Sequence, residues 1–598
     1  MHGRISLALV CIASALPRLH ADVVQLTKED VETIVANAAT EASRIDPRAI
    51  IAVTDRDGFV LAVWDMAGRI PNPVPPFSFS DRSRIALYGR LAAAITRAGT
   101  AAFLSSDQEA FTSRTAGFII QQHFPPGVRN TGTGPLVGVG LSSLFFSDVN
   151  NMKYIPTTIA GSLIRGPDKP ASPGGPFDPS QDGMPFSGEI PVFPDFSPGV
   201  RTPSVLLGSL NDSPGGVPLY KLGHLVGGIG VTGDGSPTNL CPAAAIFLKE
   251  TQTEATTGFK EGKDTDEMVA LAGQTGFRPD KSIEANHVLI NGIRIPYVHP
   301  RHSDIEDVHD PKPLGTYGRP VRGLLLDPVT PGTDRIDLDP KASPQPYPWK
   351  RETFGDFEGE VRFTLRDDPL LNHPTRGKVG GVARRLSRPE VEEAIKLAAH
   401  RALTTRAGIR LPIGTSVKVF ITVVANPDKA GEKPEILGVF RTGEATIFSW
   451  DVAVQKARTA IFFSNSQMAM SSRSVGFLAQ KFYPPGIDGR EHGPLFGFQE
   501  AVSLRLKPVA KRKSDADLFP GNPNLPNGIT IFPGGFPLYR NGKVIGAIGI
   551  SGDGVDQDDI IGISGTKFHR PKPEIRADQF TYRGARLPYV KFPRDPER

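Results

Sequence analysis

Two segments of the chain carry apolar residues at helical spacing behind the same kind of start signal. In the first, Val31, Ile34, Val35, Ala38, Ala39 and Ala42 fall on one face of a 3.6-residue period, and Thr27 with Asp30 forms a capping-box-like start. In the second, Val391, Ala394, Ile395, Ala398 and Ala402 follow Ser387 and Glu390. Each segment predicts an amphipathic helix. After the first helix, AIIAVTDRDGFVLAVW places two β-rich runs around Asp57-Gly58, a hairpin signal. The corresponding turn of the second half is the longer NPDKAGEKPE. Helical stretches containing Arg97 to Phe103 and Lys456 to Phe462 follow, the first leading into a further helix near Ser113 to Gln121. A glycine-rich hairpin then closes each half, with Asn541-Gly542 as a two-residue type I′ turn in the second. The predicted class is α+β: two tandem repeats, each an antiparallel sheet with packed helices, joined by a Pro-rich connector.

Direct alignment supports the repeat. Thr100 to Leu136 matches Thr459 to Leu495 without gaps, identical at 17 of 37 positions, and Gly215 to Gly235 matches Gly534 to Gly554 at 12 of 21. A third pair, Arg278 to Val298 and Arg570 to Val590, ends in Pro-Tyr-Val both times. The displacement between aligned residues falls from 359 to 319 and then to 292. Copy 1 therefore holds two insertions, one of them Pro-rich and lying about 150–214. The divisions read are copy 1 at 26–298, a charged, Pro-rich connector at 299–385, and copy 2 at 386–590.

Composition narrows the class. The 598 residues contain 63 Gly and 56 Pro, about a fifth of the chain, which excludes a helical bundle or coiled coil. A formal charge of +5 over this length is no nucleic-acid footprint. Two cysteines exclude a disulfide scaffold and a four-cysteine metal site. At the N-terminus, Arg4 precedes an apolar run from Ile5 to Leu16, with small residues at Ala13 and Ala15. Residues 1–21 read as a cleaved signal peptide, too short to span a bilayer, and the expected location is periplasmic or secreted. No stable membrane insertion is expected elsewhere.

The motif succession resembles the GlcG/HbpS-like haem-binding family, whose fold also occurs at the C-terminus of PduO-type cobalamin adenosyltransferases. The resemblance rests on the opening helix, the first hairpin, the Lys456-Ala457-Arg458-Thr459-Ala460 helix (Arg97-Ala98-Gly99-Thr100-Ala101 in copy 1) and the FPGGFPLYRNGKVIGAIGISGDG hairpin (SPGGVPLYKLGHLVGGIGVTGDG in copy 1). It covers about half the chain. It implies a haem (heme) or related tetrapyrrole ligand and units that associate. The fused copies are then expected to pack as an intramolecular pseudo-dimer, with further homo-oligomerisation left open. Some PduO-type members carry a haem-ligating His just after the first hairpin turn, where this chain has Phe59.

Under that resemblance, positions common to both copies are the candidate ligand contacts. Arg97 and Lys456, with Arg114 and Arg473, are shared cations suited to propionates. Thr100 and Thr459 are shared hydroxyls, and Tyr220 and Tyr539 shared phenols, as are Tyr297 and Tyr589. Gly215, Gly216, Gly534 and Gly535 allow close backbone approach to a flat ligand or serve a turn that needs positive φ. Histidine is not shared: His123 aligns with Phe482, His224 with Lys543, His492 with Thr133 and His287 with Gln579. The axial ligand therefore stays open. The His299, His302, Asp304, Glu306, Asp307, His309 and Asp310 group reads as a charged linker or a divalent-metal cluster. Two other readings stand beside a tetrapyrrole binder: a non-catalytic interaction or scaffold protein, and an enzyme on a small organic or tetrapyrrole substrate. No nucleophile–base pair is common to both copies, so no catalytic residue is assigned.

Overall fold

The computed structural model describes residues 24–70, 82–137, 211–233, 264–299, 307–321, 352–496 and 525–591, apart from a few single positions and pairs within them. The segment read as a signal peptide and the Pro-rich insertion as far as residue 210 lie outside the described residues, as do His302, Asp304 and Glu306 of the connector cluster.

The first half runs α1 (Lys28–Ile45), β1 (Ile50–Asp55), β2 (Val60–Asp65), α2 (Arg82–Leu104), α3 (Ser113–Ile119), β3 (Gly216–Lys221), β4 (His224–Thr232) and α4 (Thr265–Gly273). Its sheet has the order β3-β4-β1-β2-β5, where β5 is Arg319–Pro320. Two further strands, β6 (Glu352–Phe354) and β7 (Phe357–Phe363), precede α5 (Arg388–Thr404). The second half continues with β8 (Val419–Ala425), β9 (Ile436–Thr442), α6 (Ser449–Phe462), α7 (Ser472–Leu478), β10 (Gly535–Arg540), β11 (Lys543–Gly552) and α8 (Val555–Gly565). Its sheet has the order β10-β11-β8-β9-β7-β6, antiparallel throughout. Residues 299–385, read as a connector, thus add edge strands to both sheets. The apolar alternation Phe357, Gly359, Val361, Phe363 carries β7, a signal masked in composition by the surrounding prolines.

The two halves agree in detail. Register shifts fall at Val53/Thr54 and Leu219/Tyr220 in the first, and at Val423/Val424 and Leu538/Tyr539 in the second. Both capping boxes are formed: the Thr27 amide donates to Asp30 at 2.7 Å, and the Ser387 amide to Glu390 at 2.9 Å. At the glycine-rich hairpins, Leu222 and Gly223 sit at φ +53° and +80°, and Asn541 and Gly542 at +50° and +73°, as a type I′ turn requires.

Strand β4 explains the layering. Ile229 and Val231 pack into a core with Ile34, Val35 and Ala38 of α1 and Val269 of α4. Alternate residues face the other way, where a Cβ on Gly228 or Gly230 would stand 2.2 Å from Ala98 O or 2.1 Å from Ala94 O of α2. Glycine there lets α2 lie directly on the strand. Gly549 of β11 does the same for α6, 1.9 Å from Ala453 O. Each sheet therefore has two helices on one face and one on the other. Helices α4 and α8 are additions to the sequence reading, since both are short and VDQDDIIGISG lacks a clean apolar stripe.

The single-helix layers meet. Phe103, Leu104 and Phe111 share one core cluster with Phe448, Trp450, Val454 and Ala457. Phe103 and Phe448 have ring centroids 6.0 Å apart. The aligned residues His123 and Phe482 touch each other at 6.2 Å, as equivalent positions do near a two-fold axis. Beside them Asp488 takes a hydrogen bond from His123 at 2.7 Å and one from the Asn130 amide at 3.1 Å.

Candidate functional site

Twelve of the positions singled out in the sequence, all but Tyr297 and Tyr589, form two matching internal networks. Nη1 of Arg97 lies 2.7 Å from Asp266, and Nζ of Lys456 lies 2.6 Å from Asp558 and 2.7 Å from the Ile550 carbonyl. Arg114 makes a two-pronged pair with Glu267 at 2.9 and 2.8 Å and reaches Asp264 at 2.6 Å. Arg473 pairs with Asp559 and, at 2.7 Å, with Asp556. The Thr100 and Thr459 hydroxyls accept from the Asn211 and Thr530 amides at 2.7 and 3.0 Å. The Tyr220 phenol donates to Ser106 O at 2.7 Å and the Tyr539 phenol to Asn465 O at 2.8 Å. Burial holds these two phenols, and those of Tyr297 and Tyr589, above their ordinary value.

The four glycines belong to the same networks. Gly215 and Gly534 have φ of +115° and +114°. A Cβ on Gly216 or Gly535 would stand 2.3 Å from the carbonyl of Arg97 or Lys456, and their amides donate to Ser113 and Ser472 at 2.8 Å. Close approach is indeed what these glycines permit, and the group approached is helix backbone. All twelve residues are buried except Arg473, whose side chain is 19% exposed.

Sequence reasoning missed the acidic partners on α4 and α8. Asp264, Asp266 and Glu267 stand 292 residues before Asp556, Asp558 and Asp559, the displacement of the third aligned pair. Carrying that displacement back from Arg278 would have found them. Burial pushes Asp266 up to about 6 and Asp558 up to about 7, against the pull of Arg97 and Lys456.

Among the described residues an open concavity lies elsewhere in copy 2. A groove of ≈ 340 Å³ is bounded by the β8–β9 turn (Asn426 to Lys429, and Pro434), the C-terminal end of α6 (Ile461, Phe462) with Ser464 to Ser466, the start of β11 (Lys543, Val544) and Arg384. Pro434, Ile461, Phe462 and Val544 give it an apolar wall. Asn426 is held by its amide donating to Val544 O at 2.8 Å. The Asp428 carboxylate is met by the buried Arg385, and Arg384, Lys429 and Lys543 place cationic side chains along the rim.

At the aligned place in copy 1 the surface is closed. Phe103, Ser105 and Ser106 are 2%, 2% and 1% exposed, whereas Phe462 and Ser464 are half-buried and Asn465 is exposed. Phe448 packs on Phe103, Arg410 donates to Ser105 O at 3.2 Å, and Glu444 lies 3.9 Å from Arg56. The closing loop is anchored by Asp553, whose carboxylate accepts from the amides of Gly408, Ile409, Arg410 and Leu411 at 2.6, 3.3, 2.7 and 2.7 Å.

Among the described residues no group of three or more His, Cys, Asp and Glu is arranged to hold a metal ion, and no helix is long and apolar enough to cross a membrane. In the connector cluster, Asp307 pairs with Arg278 at 2.8 Å.

Sheet, helix layers and groove together define an α+β domain with a small-molecule-sized cleft at the end of its sheet. Residues 414–567 match the family described as haem degrading protein HbpS-like. The match includes β8 to β11 and every described groove residue but Arg384. Among solved structures, the crystal structure of a PduOC:heme complex is 21% identical, the match covering 30% of this chain and 93% of that one, with a TM-score of 0.20. Klebsiella pneumoniae protein ORFY, of the DUF336 family, is 20% identical over 30% of this chain and 88% of its own, also with a TM-score of 0.20. No curated protein matches the chain.

Proposed function

We propose that the chain is an exported tetrapyrrole-binding protein, haem included, made of two fused HbpS-like units packed as an intramolecular pair, with one open site in copy 2. The observation that carries this reading is the coincidence of the family match at 414–567 with the cationic groove. An apolar wall suits the face of a macrocycle, and a positive rim suits its carboxylates. Lys456, Thr459, Arg473, Gly534, Gly535 and Tyr539 support the helix layers of copy 2.

Purified full-length protein titrated with hemin is expected to show a saturable change in the Soret band ending near one equivalent per chain. An unsaturable, linear response would defeat the reading, and two equivalents would defeat the assignment of a single open site.

Export belongs to the same proposal. Intact-mass measurement of protein from its native host is expected to find an N-terminus between Leu16 and Asp22. A retained Met1 would count against it.

A further inference from the structure

Iron in haem is held by His, Met, Cys or Tyr in most proteins. Among the described residues of the groove none of these occurs. The four tyrosines shared by the two copies are at most 3% exposed, their phenols shut inside the protein. His224, at the position aligned with Lys543, belongs to copy 1, where its exposed ring is held by Asp107 at 2.7 Å. The residues present therefore fit a tetrapyrrole's carboxylates and face. They do not fit ligation of its iron.

We infer that the copy 2 groove recognises the carboxylates of a planar ligand and is indifferent to its metal, with Lys543 and Arg384 as the principal carboxylate contacts. This rests on the tetrapyrrole reading above. Lys543 lies exposed at the start of β11, directly after the two-residue turn whose backbone is fixed by Asn541 and Gly542 at positive φ. Arg384 reaches the rim from the segment before α5, its amide tied to Gly377 O at 2.9 Å. Neighbouring Arg385 pairs with Asp428 and also lies 3.7 Å from Asp368, so the one carboxylate lining the groove is turned toward a buried cation and not toward the rim. A dicarboxylate thus meets two cations approaching from separate elements, while the apolar wall from Pro434 to Val544 takes the ring. Nothing in this arrangement senses the ring centre.

The test compares three probes on the full-length chain: hemin, metal-free protoporphyrin IX, and protoporphyrin IX dimethyl ester, followed by absorbance and by quenching of tryptophan fluorescence. Hemin and the free diacid are expected to bind within about threefold of each other, and the diester at least tenfold more weakly. Lys543→Glu together with Arg384→Glu is expected to weaken hemin and the free diacid alike, by tenfold or more. Circular dichroism checks that this double variant is folded. Hemin binding more than tenfold tighter than the metal-free diacid would overturn the inference and leave the tetrapyrrole reading standing. Equal binding of diacid and diester would overturn it too. Failure of all three probes to bind would defeat both.

Discussion

Lys456→Met is expected to destabilise the full-length chain by about 3–5 kcal/mol, the usual cost of breaking a buried ion pair from one side. Nζ of Lys456 is fully enclosed and meets Asp558, itself only 3% exposed, at 2.6 Å. Removing the ammonium leaves a carboxylate with no countercharge in a dry interior. Burial already pushes Asp558 up to about 7 in the presence of Lys456. A carboxyl whose folded value lies above its unfolded one contributes stability at low pH that is lost as pH rises through the folded value. Without Lys456 the folded value climbs further, so the penalty of the variant grows between pH 5 and pH 8. Urea midpoints at those two pH values read this directly. The double variant Lys456→Met, Asp558→Leu is expected to recover most of the loss, because two apolar side chains replace two desolvated charges. Equal midpoints for wild type and the single variant at pH 8 would sink the argument.

Asp553→Ala is the second large effect, expected to cost at least about 3 kcal/mol. Its carboxylate collects four backbone amides from 408–411, and an unsatisfied buried donor costs about 1–3 kcal/mol. Asp553→Asn keeps one acceptor oxygen and is expected to lose less. The consequence reaches across the molecule, because the loop carries Arg410 onto Ser105 of copy 1. Amide exchange at 408–411 is expected to accelerate at least tenfold, while the β10–β11 hairpin stays protected. Glu109 adds a separate reporter: burial first, then Asp553, pushes its carboxyl up to about 7, so its titration is expected to move down in the variant. Unchanged exchange at 408–411 would show that the carboxylate does not hold the loop.

These predictions differ in how far the sequence foretells them. The glycine-rich hairpins were legible because a type I′ turn needs two residues at positive φ, and Asn541-Gly542 meets that need locally. The opening helices were legible because capping and apolar spacing lie within one segment. The α+β class and the repeat followed from such local signals taken in order. The candidate site was less legible. Shared residues did mark a common design, yet they marked the internal pairs, since invariance between copies tracks the packing that both copies must preserve.

Arg97 and Lys456 carry no sign of their partners in their own helices; Asp266 and Asp558 come from helices α4 and α8, more than a hundred residues away. The groove draws on four separate segments, and only the hairpin that carries Lys543 and Val544 has a motif in the sequence. Its closure in copy 1 depends on a loop of copy 2 laid across Ser105. Helices, turns and the duplicated order of elements were determined by the sequence itself, because the forces that choose them act within a few residues. Which charges are buried, which groove stays open and which is filled were decided by tertiary structure, because desolvation and close packing depend on everything that surrounds a residue in space.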